Sequence, residues 1–207
     1  MDKSFNYIIS PEIYEFRKFS PKLKIGVLAS GRGTNFQELI NLSEKGELDV
    51  DIKVLITNKD DAGCIKRAES VKIPHKIIKG KDFLDKELFE LEIINTLIDY
   101  DVELVVMAGW MKIVTPFFIN KFKNKIINIH PSLLPAYKGG SAIKDAILNG
   151  SKITGCSVHF VEEEVDSGSL IMQAALSIRD DDDIESLSKR IHTVSYTHLT
   201  LPTIYSV

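Results

Sequence analysis

Five short, mostly apolar runs alternate with helical patterns between Lys24 and Ile129, and that rhythm leaves few architectures open. The runs are Lys24 to Ala29, Val50 to Thr57, His75 to Lys79, Leu104 to Met107 and Lys125 to Ile129. Between them, Phe36, Leu39 and Ile40 recur at helical spacing, Cys64 to Ser70 reads as a short helix, and Asp82 to Tyr100 as a long amphipathic one. Its inner side is predicted to carry Phe83, Leu84, Leu88, Leu91, Ile94, Leu97 and Ile98. A helix over Ala142 to Gly150 follows, then strands over Thr154 to Val161 and Leu170 to Ile178, joined by a tight acidic loop. Strands without polar alternation are buried on both faces, so the pattern predicts an α/β fold, a mainly parallel central sheet with helices on both faces. Ligands of such sheets bind beyond the carboxyl ends of the strands. Three unusual segments fall there: Ser30 to Asn35, Ala108 to Lys112, and Asn128 to Pro135.

The last segment is the most informative chemically. Side chains two apart on a strand point the same way, which sets Asn128 beside His130 at a sheet rim. The amide is a fixed donor and the imidazole a group that lends and takes protons near neutral pH. Together they suit one reacting carbonyl, and Pro131 and Pro135 stiffen the exit. Gly31-Arg32-Gly33-Thr34-Asn35 follows a strand and opens a helix, where free amides face an anion. Phe36 stands where a dinucleotide fingerprint has its third glycine, and the lysine of a triphosphate loop is missing, so a single monophosphate is better supported. A plain capped turn is the competing account. Asp166, in the acidic loop with Gly168, would favour a cationic His130 if brought near it, or steer a water; otherwise it is one more solvated carboxylate. Glu162, Glu163 and Glu164 read as solvated residues whose backbone could line a pocket. Trp110, the sole tryptophan, leaves a strand after Gly109, and Met111, Ile113 and Val114 would form a slot for a flat heteroaromatic ligand or, equally, a core cluster. His159 and His75 read as structural.

Composition narrows the partners. The 207 residues carry 26 Lys and Arg against 29 Asp and Glu, a dispersed net charge of -3 that offers no basic field for nucleic acid. The dense run Arg179 to Asp183 reads as a solvated loop before a helix. Cys64 and Cys156 stand far apart with no companion at metal spacing, so neither a metal site nor a disulfide framework is expected. No apolar stretch nears the roughly 18 residues that span a bilayer, and no secretory leader is visible, so a cytoplasmic setting is expected.

The chain resembles the phosphoribosylglycinamide formyltransferases, folate-dependent enzymes of purine synthesis. The resemblance rests on Ser30 to Gln37, Ala108-Gly109-Trp110-Met111-Lys112-Ile113, Asn128 to Pro135, and Gly155 to Val161 leading to Asp166-Ser167-Gly168, in family order over residues 24 to 194. It implies the Rossmann-like formyltransferase fold and 10-formyltetrahydrofolate as co-substrate, with no metal. Asn128, His130 and Asp166 then match the catalytic trio. Gly33, Thr34, Asn35 and His192 match positions around the substrate phosphate. Lys86, Met111, Lys112, Ile113, Val114, Asn128 and the loop Glu162, Glu163, Glu164, Val165, Asp166 match the folate site, with Lys86 replacing an Arg. The partners implied are small molecules, and the assembly a monomer or homodimer.

Two departures are visible. Lys138-Gly139-Gly140-Ser141-Ala142 stands where the family carries a histidine-containing segment. After Val194 the match fails: Ser195 replaces a Glu that meets the substrate ribose, and Ser195 to Thr203 has no helical period. The expected organisation is therefore an N-terminal extension over 1–22, a formyltransferase domain over 23–194 and an aberrant, non-native tail over 195–207 lacking the family's last helix. Formyltetrahydrofolate hydrolase, another formyltransferase of this fold, or an inactive ligand-binding truncation are the alternatives.

Overall fold

The computed structural model describes residues 7–11 and 20–194; the expected tail lies outside them. Among the described residues eight strands form one sheet: β1 (Tyr7–Ser10), β2 (Leu23–Leu28), β3 (Val50–Thr57), β4 (His75–Ile77), β5 (Leu104–Met107), β6 (Ile126–His130), β7 (Ile153–Phe160) and β8 (Leu170–Ser177). The helices are α1 (Thr34–Glu44), α2 (Gly63–Ser70), α3 (Lys86–Asp99), α4 (Pro116–Lys121), α5 (Ala142–Leu148) and α6 (Ile184–Val194). The strand order is β1-β8-β7-β6-β5-β2-β3-β4. Strands β2 to β6 are parallel, as the apolar runs predict, while β7 is antiparallel to β6 and to β8, and β1 is antiparallel to β8.

Alternation along the strands builds a core on each face. Ile25, Val27, Leu55 and Val106 pack with Phe36, Leu39 and Ile40 of α1 and Cys64 and Ala68 of α2. Leu28, Val54, Ile56 and Val105 point the other way, onto Phe89, Ile93, Ile94 and Leu97 of α3 and Phe118 of α4. Each large side chain fully buried in these layers contributes about 1.5–3 kcal/mol. Beyond β6, Cys156, Val158, Met172 and Ala174 pack with Leu187, Ile191 and Val194 of α6.

Several expectations need correction. Tyr7–Ser10, within the expected N-terminal extension, is an edge strand of the sheet, which the sequence reading does not foresee. Helix α3 begins at Lys86, because Asp85 caps it by accepting the Leu88 amide at 2.8 Å. Its inner face is the Phe89, Ile93, Ile94, Leu97 ladder, whereas Leu84, Leu88, Leu91 and Ile98 are exposed. Apolar residues line this helix on two sides, so spacing alone does not choose the inner one. Asp182 in the acidic run is not solvated: its side chain is nearly inaccessible, paired with Arg190 and accepting the Arg179 amide.

Candidate functional site

The carboxyl ends of β2, β5 and β6 meet at one rim, and the loops leaving them are tied together. The Ser30 amide donates to the Gly109 carbonyl at 3.0 Å, and the Met111 amide donates to Ser30 Oγ at 2.9 Å. A cavity of about 310 Å³ opens there, walled by Asn128, His130 and Asp166, by Trp110 to Val114, and by Asn35 and His192.

Gly33 starts α1 with φ 70° and ψ 34°, a left-handed conformation that L side chains avoid. Among the described residues no side chain caps the helix, and no acidic residue occupies its first turn, so its leading amides suit an anion. Thr34 is the first helical residue. Asn35 lines the cavity and is nearly buried, and its Oδ1 has no hydrogen-bond partner among the described residues. His192 reaches the cavity from α6. Burial, together with the charge of Arg32, holds its imidazole below the ordinary value.

The trio converges from two distant segments. Asn128 and His130 stand on β6, and Asp166 comes from the β7–β8 loop with φ 51°. Asp166 Oδ2 lies 3.3 Å from His130 Nδ1 and accepts the Gly139 amide at 2.8 Å, while Oδ1 lies 3.5 Å from His159 Nε2. Burial pushes the Asp166 carboxyl up. The hydrogen bond from His159, the Gly139 amide and the charges of His130 and His159 outweigh it and leave the group below its ordinary value. His130 Nε2–H donates to the Tyr137 carbonyl at 2.8 Å, so both ring nitrogens face acceptors, an arrangement that an imidazolium satisfies fully. Across the antiparallel ladder from Asn128 stands His159, whose Nδ1–H donates to the Phe160 carbonyl at 2.8 Å. The Asn128 Nδ2 amide donates to His159 Nε2 at 3.2 Å when that ring is neutral.

A second side of the cavity is walled by Met111, Lys112, Ile113 and Val114, the expected slot, with Trp110 stacked on Phe89 behind it. Glu162, Glu163 and Val165 line the opposite side. Glu164 instead pairs with Lys138 at 2.8 Å and is not part of the wall. Lys86 is outside the wall too, because the Asp85 cap sets it on the solvent-facing first turn of α3. Sequence reasoning misses Tyr137 and Gly139, whose contacts are made by backbone atoms that carry no residue-type signal. It reads His159 as structural without seeing that β6–β7 pairing sets it against Asn128. Among the described residues, no three His, Cys, Asp or Glu side chains cluster as a metal site, and no helix is long and apolar enough to cross a membrane.

An amide, an imidazole and a carboxylate thus surround one cavity, between the start of α1 and an apolar slot, on a mainly parallel α/β sheet. The chain belongs to the formyl transferase family, whose model matches residues 23–203 and so runs past Val194. It is 42% identical over 184 residues to the trifunctional purine biosynthetic protein adenosine-3 of Chironomus tentans, a match spanning 88% of this chain but 13% of that protein. It is 41% identical over 173 residues to the phosphoribosylglycinamide formyltransferase of Haemophilus influenzae, covering 84% of this chain and 82% of the relative. The crystal structure of phosphoribosylglycinamide formyltransferase from Bacillus halodurans superposes with a TM-score of 0.85 at 36% identity, covering 88% of this chain and 94% of that one.

Proposed function

We propose that the chain transfers the formyl group of 10-formyltetrahydrofolate to the amine of glycinamide ribonucleotide, a step of purine synthesis. The observation that carries this reading is the meeting of Asn128, His130 and Asp166 on one wall, with the α1 start on one side and the 110–114 slot on the other. The acyl-transfer relatives of matching length support it.

The acceptor's phosphate sits at the first-turn amides of α1 beside Asn35 and His192, and the pterin lies in the slot. The acceptor amine attacks the formyl carbon, and the carbonyl becomes a tetrahedral oxyanion. Asn128 donates an amide hydrogen to it and protonated His130 an N–H, which releases its bond to the Tyr137 carbonyl. Asp166 faces His130 Nδ1 at 3.3 Å and, through water, takes the proton that the attacking amine sheds. That same proton passes through the water to the folate nitrogen as its bond to the formyl carbon breaks, so the exchange balances. The reading brings with it small-molecule substrates, a cytoplasmic setting, a monomer or homodimer, and the domain over 23–194 as the working unit.

Formyl transfer measured with glycinamide ribonucleotide, and with water as sole acceptor, tests it. Transfer to the ribonucleotide in excess of hydrolysis is expected. His130→Ala should abolish turnover while leaving binding of the ribonucleotide nearly intact. Release of formate at equal rates with and without the acceptor refutes the reading in favour of a hydrolase.

A further inference from the structure

We propose that Glu90 is a positioning residue for the folate slot: from α3 its carboxylate clamps Thr115 and so fixes the backbone of residues 111–114 against the ligand's ring. The inference rests on the function proposed above. Glu90 is 1% exposed. Its Oε1 accepts the Thr115 amide at 2.8 Å and its Oε2 accepts the Thr115 hydroxyl. No Lys, Arg or His pairs with it among the described residues. Burying a carboxylate without a cation is costly, and an apolar residue of similar size would pack into that layer more favourably. The carboxylate's two bonds therefore have a use other than packing, and Thr115 is where they go.

Thr115 directly follows the slot and precedes α4, whose first residue is Pro116; its own side chain makes no cap. The residue before Glu90, Phe89, stacks on Trp110 at the slot's other end, with ring centroids 6.4 Å apart and planes 4° from parallel. Two consecutive residues of α3 thus grip the segment at both ends. Between the grips, Met111 and Ile113 are 75% and 63% exposed, so core packing does not hold them. Their placement depends on the anchored ends and on the bond from the Met111 amide to Ser30. Releasing Thr115 lets the slot wall drift, and a drift of an ångström in a ligand wall is felt strongly.

The test compares Glu90→Leu, Glu90→Gln and Thr115→Val in the full chain. Two readouts are used: steady-state transfer kinetics, and tetrahydrofolate binding followed by the fluorescence of Trp110, the chain's sole tryptophan. Glu90→Leu is expected to raise the folate KM and the tetrahydrofolate Kd about tenfold, with kcat and the acceptor KM within about twofold. Glu90→Gln should recover most of the loss, since its amide oxygen accepts the Thr115 N–H and its NH2 donates to the hydroxyl. Thr115→Val, which keeps the amide bond alone, should fall between. An unchanged folate KM and Kd in Glu90→Leu, a parallel loss in all parameters, or a Gln variant no better than Leu overturns the clamp. An unsubstituted chain that binds tetrahydrofolate but transfers no formyl refutes the function alone, and the binding constants of the variants still decide this inference.

Discussion

Replacing Gly33 with alanine perturbs the anion cradle in a way the geometry quantifies. At φ +70° an L residue pays about 1–2 kcal/mol in left-handed strain. A Cβ there would also lie 2.5 Å from Cys64 Cβ and 2.7 Å from Cys64 Cα. The second contact is backbone at the start of α2, which cannot swing aside, so overpacking adds about 1–3 kcal/mol. The sum is about 2–5 kcal/mol. For a domain of this size that lowers the melting temperature by about 4–20 °C. Gly46 offers an internal control. Its φ is +69°, it lies just past the other end of α1, and a Cβ there meets nothing within 4 Å. Gly46→Ala should therefore show the strain alone, about 1–2 kcal/mol, with normal kinetics. Thermal unfolding followed by circular dichroism gives the stabilities, and steady-state kinetics give the acceptor KM. Gly33→Ala should raise that KM at least about tenfold with the folate KM unchanged, because the displaced turn carries the first-turn amides of α1. If Gly33→Ala melts no lower than Gly46→Ala, the crowding against Cys64 is unreal. If the acceptor KM stays constant, the cradle is in the wrong place.

The remaining predictions concern titration. Asp166→Asn removes the carboxylate that faces both His130 and His159, and kcat should fall by about 10²–10⁴ in a transfer assay, with ligand affinities changed far less. Because the folded-state value of Asp166 is depressed, its contribution to stability is complete above the unfolded value near pH 4 and is lost as pH falls through the folded value. Urea unfolding from pH 7 to pH 3 should thus show the wild type's advantage over Asp166→Asn narrowing toward acid; a gap that widens would contradict the assignment. His192 is held neutral by burial and by Arg32, and a phosphate dianion placed beside both favours its protonation. Ribonucleotide binding should therefore take up protons, and tighten between pH 8 and pH 6. Calorimetry in buffers of differing ionisation enthalpy measures the uptake, and His192→Asn should abolish it.

The parallel half of the sheet is readable because the central strands β2, β5 and β6 and the second half of β3 are mostly apolar runs, as strands buried on both faces are. The same logic falters where one element serves two masters. Helix α3 carries apolar residues on both sides, so spacing cannot say that Phe89 and Leu97 face the sheet while Leu88 and Ile98 face solvent. Nor does it mark Glu90, a charged residue on a buried face, as anything but an error in the period. Tyr7–Ser10 is too short to signal a strand without knowing that the edge of β8 awaits it. Within the site, the residues proposed to do the chemistry, such as Asn128 and His130, are legible from i, i+2 spacing. The groups that hold His130 and its partner Asp166 in place are not, because a backbone carbonyl like that of Tyr137 and an amide like that of Gly139 exist in nearly every residue and acquire meaning only from the chain's path. That path is set by the left-handed turns at Tyr137, Gly139 and Asp166. The loop after Pro135 is therefore bound to Asp166 through main-chain geometry, and sequence changes such as Lys138 to Ala142 are tolerable there so long as those turns survive.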